Sequence, residues 1–232
     1  MLSRPTSLQQ HFPHMTDVIL LSCQFDINAF QPSLFSQHQI ALPSKLEKAV
    51  PKRQAEFLAG RFLAKTCFTD LSLPYKEIIN GSDRCPIWPK NIIGTITHSN
   101  ETAACAITTA ANIVALGIDL EYDINVKTCE DIYKSIINEQ EETFLRSLNC
   151  PFNQVMTLVF SAKESIYKAL YPKIKQFFNF DAVTITALNL EQQVLTLELS
   201  KDWSSTFQQG QRFECHYLRF ERSFLTTITV FA

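Results

Sequence analysis

Between Pro151 and Pro172 the chain carries one long apolar stripe at helical spacing, formed by Phe152, Val155, Val159, Ala162, Ile166 and Leu170. From Asp181 onward the period switches to strand alternation, through Val183 and Ile185, Val194 to Leu199, Cys215 and Tyr217, and Leu225 to Val230, with a loop around Trp203 to Gly210. Helices and antiparallel strands in separate blocks indicate an α+β protein. The upstream part obeys the same rule. Pro51 opens an expected helix over Lys52 to Phe68, with Phe57, Leu58, Phe62, Leu63 and Cys67 on its apolar positions. Three short strands are expected over Gly94 to His98, Ala103 to Thr108 and Ile113 to Glu121, with turns at Ser99-Asn100 and Asn112. A polar helix is expected over Asp131 to Leu148. The first 50 residues offer one early strand, Val18 to Cys23, in otherwise irregular chain.

Composition excludes several classes of function. With 21 basic against 23 acidic side chains the net charge is −2, so no global field gathers nucleic acid or an anionic membrane, and any anion site must be local. No apolar run approaches the roughly 20 residues that span a bilayer, and no basic flank or small-residue cleavage site marks a leader; a cytoplasmic protein is expected. The seven cysteines are scattered singly without a C-x-x-C pair, which predicts reduced packing residues, with neither a disulfide framework nor a zinc site.

The chemistry-bearing residues lie on these elements. In Leu116-Gly-Ile-Asp-Leu-Glu the strand period puts Leu116, Ile118 and Leu120 on one face and projects Asp119 and Glu121 together from the other. With a third carboxylate they would supply the hard oxygen ligands that Mg²⁺ prefers; read alone, the pair is also what a solvated strand end looks like. Glu164 and Lys168, four apart on the helix, either join that chemistry or form an ordinary exposed pair. His98, after a strand and before a turn, can reach a loop-lined cleft. Arg53 and Arg61 lie within about 80° of one another around one helix and, with Arg84 beside the Asn80 to Asp83 turn, could gather phosphate. A solvated helical face is the commoner explanation for any one of them.

Their joint order narrows the choice. The segments K-R-Q-A-E-F-L-A-G-R, R-C-P-I-W-P, G-T-I-T-H-S, L-G-I-D-L-E and F-S-A-K-E-S-I-Y-K-A resemble the 4′-phosphopantetheinyl transferases of the surfactin-synthetase type, with the nearest likeness to the enterobactin-synthetase branch. The resemblance runs from about Arg53 to Ala169. It implies a pseudo-twofold pair of similar α+β halves, 1–112 and 113–232, with the active site in the cleft between them. It implies Mg²⁺ held by Asp119, Glu121 and Glu164 against the pyrophosphate of coenzyme A, and Lys163 and Lys168 near the phosphates. Arg53, Arg61, Arg84, Thr97 and His98 would bind the nucleotide end, Thr97 standing where the family usually has Ser and Leu120 where a further ligand could lie. The implied reaction moves phosphopantetheine from coenzyme A to a serine of an apo carrier protein and releases 3′,5′-ADP, with Glu164, His98 or a metal-bound water as base. The implied partners are the carrier and coenzyme A alone, on a monomer. A metal-dependent phosphohydrolase and a non-catalytic carrier-protein or nucleotide-binding module are the competing readings.

Overall fold

The computed structural model describes every residue except Arg84, so the expectation placed on that side chain lies outside the described residues. The chain divides into two units, Met1–Ile113 and Val114–Ala232.

In the first unit β1 (Thr6–Ser7), β2 (Ile19–Gln24), α1 (Ser33–Gln37), α2 (Pro51–Asp70), the small strands β3 (Ile79–Asn80) and β4 (Pro86–Ile87), β5 (Ile93–Ser99) and β6 (Thr102–Thr108) follow in order. The main sheet runs β1-β2-β6-β5, antiparallel throughout, and β3 and β4 form a separate hairpin. Pro51 sits in the first turn of α2, where its missing N–H costs nothing. Ala55, Ala59, Leu63 and Cys67 then recur every four residues and pack on Leu21, Cys23, Ala103, Cys105 and Ile107. Small residues on both sides bring helix and sheet close. Asn100 makes the β5–β6 turn at a φ of 50°, which Asn tolerates better than most residues.

The second unit contains β7 (Ile113–Tyr122, whose first residue still belongs to the first unit), α3 (Val126–Ile136), α4 (Glu139–Arg146), α5 (Phe152–Ile174), β8 (Val183–Asn189), β9 (Val194–Leu199), β10 (Arg212–Phe220) and β11 (Ser223–Phe231). Its sheet order is β7-β11-β10-β9-β8, and α5 packs on β11. The duplication is visible in the connectivity. In each unit a strand precedes the long helix and then pairs with the last strand of the hairpin that follows it: β2-β6-β5 in one, β7-β11-β10 in the other.

Two expectations are corrected. The single polar helix over Asp131 to Leu148 is two helices, α3 and α4, broken at Ile137-Asn138. Asn125 caps the first by accepting the Thr128 N–H at 2.9 Å, so it starts earlier. Asn138 caps the second by accepting the Glu141 N–H, while the Glu141 carboxylate takes the Asn138 N–H, each at 2.9 Å. Pro172 does not end α5 but sits within its last turn; the helix stops at Ile174, where Lys175 takes left-handed φ. The seven cysteines are all free, and burial pushes the Cys23 thiol up to about 12.

Candidate active site

In the second unit the contact between β7 and α5 is set by one glycine. A Cβ at Gly117 would fall 1.9 Å from the carbonyl oxygen of Ser165 and 2.8 Å from the amide nitrogen of Ala169, so only glycine lets helix and strand meet there. Asp119 lies two residues along the same strand face, about 6.6 Å further on. Close approach at Gly117 therefore presses the Asp119 carboxylate against α5, where Lys168 Nζ donates to Oδ1 at 2.5 Å. Ser161 and Ser165 of α5 hydrogen-bond Thr226 of β11, whose hydroxyl also donates to the Asp119 carbonyl at 3.4 Å. Asp119 is 3% exposed, so this strand face is buried under the helix and not the solvated strand end that spacing alone allowed.

Glu164 is half-buried. Burial raises its carboxyl above the ordinary range, Lys168 pulls it back, and the Asp119 charge adds to the rise. The two acids thus sense one another, and Glu164 with Lys168 is no exposed surface pair. Glu121 is half-buried further along β7. Among the described residues no group of three His, Cys, Asp or Glu side chains converges closely enough by itself to hold a metal ion.

Beside Glu164 a cavity of about 300 Å³ opens, lined by Lys163, Tyr167, Val183 and the segment Phe177 to Phe180. Its wall is aromatic: Tyr167 meets Phe178 edge-on at 4.9 Å and stacks on Tyr171 at 5.2 Å, and Phe178 leans on Trp203 at 5.0 Å.

Lys163 is not arranged as the resemblance implied. The residue is 2% exposed, and its ammonium donates to the carbonyls of Ile136 at 2.9 Å and Phe180 at 3.2 Å and lies 2.9 Å from Glu141 Oε1. Three protons meet three protein acceptors, leaving none for a phosphate. Burial lowers the lysine's pKa while Glu141 opposes the shift. The partner Glu141 escaped the sequence reading, although the N-E-Q-E capping signature at Asn138 was there to find it.

The first unit gathers its groups around α2 and β5. Arg53 donates to His98 Nε2 at 3.0 Å and to Glu56 at 3.3 Å, and Glu56 Oε1 lies 3.8 Å from His98 Nδ1. Glu56, missed in the sequence, sits one helical turn from Arg53 on the same face. Thr97 is buried on β5 beside His98. Arg61 does not share these partners. At 4% exposure it donates to the Ile78 carbonyl at 2.9 Å and to Asn80 Oδ1 at 2.5 Å, with its guanidinium 4.4 Å from the centre of the Phe57 ring. Burial lowers its pKa, and its bonded partners are all neutral. The structure therefore brings Arg53 to His98 and Asp119 to Lys168 and Glu164, and turns Arg61 and Lys163 inward.

Comparison with known proteins gives the family. Residues 42–108 match the 4′-phosphopantetheinyl transferase N-terminal domain, and residues 115–228 match the 4′-phosphopantetheinyl transferase superfamily. The chain belongs to this family and is a phosphopantetheinyl transferase. It is similar to enterobactin synthase component D of Salmonella typhi, at 34% identity over 78% of this chain and 75% of the relative. The corresponding protein of Escherichia coli K12 is 31% identical over 73% of this chain and 80% of its own. The 4′-phosphopantetheinyl transferase Svp of Streptomyces mobaraensis is 33% identical over 58% and 54%.

Proposed function

We propose that this enzyme transfers the 4′-phosphopantetheine group of coenzyme A to a serine of an apo carrier protein, dependent on Mg²⁺, and releases 3′,5′-ADP. The observation that carries the proposal is the meeting of Asp119, Glu164 and Lys168 across β7 and α5. The donor set suits Mg²⁺: it is all oxygen, and two carboxylates lie close enough to feel each other's charge. Mg²⁺ keeps several waters and completes its shell from substrate phosphate, so a cage of three converging acids is not required. Asp119 and Glu164 would hold it, with Glu121 further along the strand. When bound, Mg²⁺ supplies electrostatic stabilisation to the pyrophosphate.

The protein's own groups account for the rest. The serine oxygen attacks the β-phosphorus, the bond from that phosphorus to the bridging oxygen breaks, and the electron pair leaves with 3′,5′-ADP. Lys168, held at Asp119 in the free protein, is a cation within reach of the charge that develops on the phosphates. Glu164 takes the serine proton; a carboxyl lifted above its ordinary range is a better base near neutral pH. Arg53, about half-exposed, binds the 3′-phosphate, with His98 beside it. The aromatic cavity beside Glu164 receives the pantetheine arm. No described helix is long and apolar enough to cross a membrane. Relatives named for enterobactin synthesis support carriers of siderophore assembly as its substrates.

Incubation with fluorescent coenzyme A and an apo carrier, with Mg²⁺ or with a chelator, tests this. The label should move to the carrier serine only with metal. Cleavage of coenzyme A without labelling of the carrier would instead indicate a phosphohydrolase.

A further inference from the structure

We infer that Lys163 and Glu141 form a positioning pair, which sets the Glu164 face of α5 and the wall of the adjoining cavity, and that the Lys163 ammonium does not bind the phosphates of coenzyme A. The pair sits where four chain segments meet α5. Lys163 reaches the end of α3 at the Ile136 carbonyl and the cavity wall at the Phe180 carbonyl. Glu141 accepts the Asn138 N–H at the start of α4 and the Ile185 N–H of β8 at 2.8 Å. Both side chains are almost wholly enclosed, 1% and 2% exposed. Every proton of the ammonium and both carboxylate oxygens have partners, the condition under which a buried ion pair is tolerated.

The location ties the pair to the reaction. Lys163 precedes Glu164, so the rotation of α5 that seats the ammonium among its acceptors also fixes where the Glu164 carboxylate points. Its bond to the Phe180 carbonyl anchors the segment Phe177 to Phe180, which walls the cavity on Glu164's side. Loosening either contact would move a reacting group by a fraction of an ångström to an ångström, and displacement of that size costs up to about 10²-fold in rate.

The inference rests on the transfer reaction proposed above, and two experiments separate the two. The first needs no mutation. Surface amines of the wild-type protein are acetylated in the presence and absence of coenzyme A and Mg²⁺, and labelled peptides are read by mass spectrometry. Lys163 should stay at background in both conditions, whereas Lys168, at 27% exposure, should label and be protected by ligand. Labelling of Lys163 that coenzyme A suppresses would overturn the inference. Failure of Lys168 to be protected would instead count against the proposed function.

The second is a double-mutant cycle of Lys163→Met and Glu141→Gln, read as kcat and KM for coenzyme A. Lys163→Met strands a buried carboxylate and should lower kcat by about 10²-fold while leaving KM nearly unchanged. Adding Glu141→Gln removes the stranded charge and should restore kcat at least tenfold. A double variant as slow as Lys163→Met, with a raised KM in both, would show that the lysine binds the substrate. If Lys163→Met fails to fold while the double variant folds, the pairing is supported directly; if neither folds, the labelling result decides.

Discussion

The two units are built to one plan and hold their buried helix cations differently. In the first, Arg61 of α2 is enclosed among a carbonyl, an amide oxygen and a ring, all neutral, and Arg53 and His98 both meet the Glu56 carboxylate. In the second, Lys163 of α5 is matched by Glu141, and the strand facing α5 brings in further acids. The close approach also differs in origin. It comes from Gly60 on the helix in one unit and from Gly117 on the strand in the other. One plan thus gives a cluster in which Arg53 and His98 meet Glu56, and one in which Asp119 and Glu164 gather at Lys168.

The largest effect should come from the acidic surface. Asp119→Ala should abolish transfer, at least about 10²-fold, with circular dichroism unchanged, because the half-exposed Lys168 it releases can turn to water. Wild-type turnover in this variant would remove the acids from the chemistry. The glycines should respond unequally. Gly117→Ala sets a Cβ against backbone that cannot rotate away and should cost about 1 to 3 kcal/mol or more, together with much of the activity, measured by denaturant melts and transfer assays. Gly60→Ala meets only the Ile96 side chain, at 2.7 Å, and gains about 1 kcal/mol of helix propensity, so its stability should stay within about 1 kcal/mol of wild type. Equal losses would mean that the two close approaches are equivalent. Arg61→Ala should lower thermal stability more than it raises the KM for coenzyme A, since its bonds hold Ile78 and Asn80; the opposite pattern would return it to the phosphate site.

The smallest effect concerns pH. The folded Glu164 carboxyl is raised above its ordinary value of 4.5, so below that value wild type and Glu164→Gln carry the same neutral group and should be equally stable without metal. As pH rises above 4.5 the unfolded state ionises first and the buried charge works against folding. Glu164→Gln should therefore become the more stable protein towards neutrality. Melts from pH 4 to 8 that run parallel, or diverge on the acid side, would contradict the burial argument.

The helical stripe on α5, the strand period of β7 and the helix start at Pro51 were legible because each depends on neighbours a few residues away. The period also put Asp119 opposite Ile118 and Leu120, but could not say that α5 would cover that face, since the cover depends on Ser165 and Ala169 half a unit distant. Lys163 and Lys168 look alike from sequence, five residues apart on one helix. What separates them is Glu141, 22 residues upstream of Lys163, and Asp119, 49 upstream of Lys168. The inward placement of Arg61 was hidden for the same reason: its acceptors lie in the Ile78 to Asn80 segment. Burial of a cation is a tertiary fact, and motif order alone does not reveal it.

The proposed reaction gives the 3′-phosphate of coenzyme A to Arg53 and the transfer itself to Asp119, Glu164 and Lys168. The most direct measurement is the ratio of kcat/KM for coenzyme A to that for dephospho-coenzyme A, in wild type and in Arg53→Ala. A lost charge-assisted contact is worth about 1.5 to 3 kcal/mol, so wild type should favour coenzyme A by roughly 10- to 10²-fold, and in Arg53→Ala the ratio should fall towards one through KM, with kcat preserved. An unchanged ratio, or a loss confined to kcat, would contradict the division of labour.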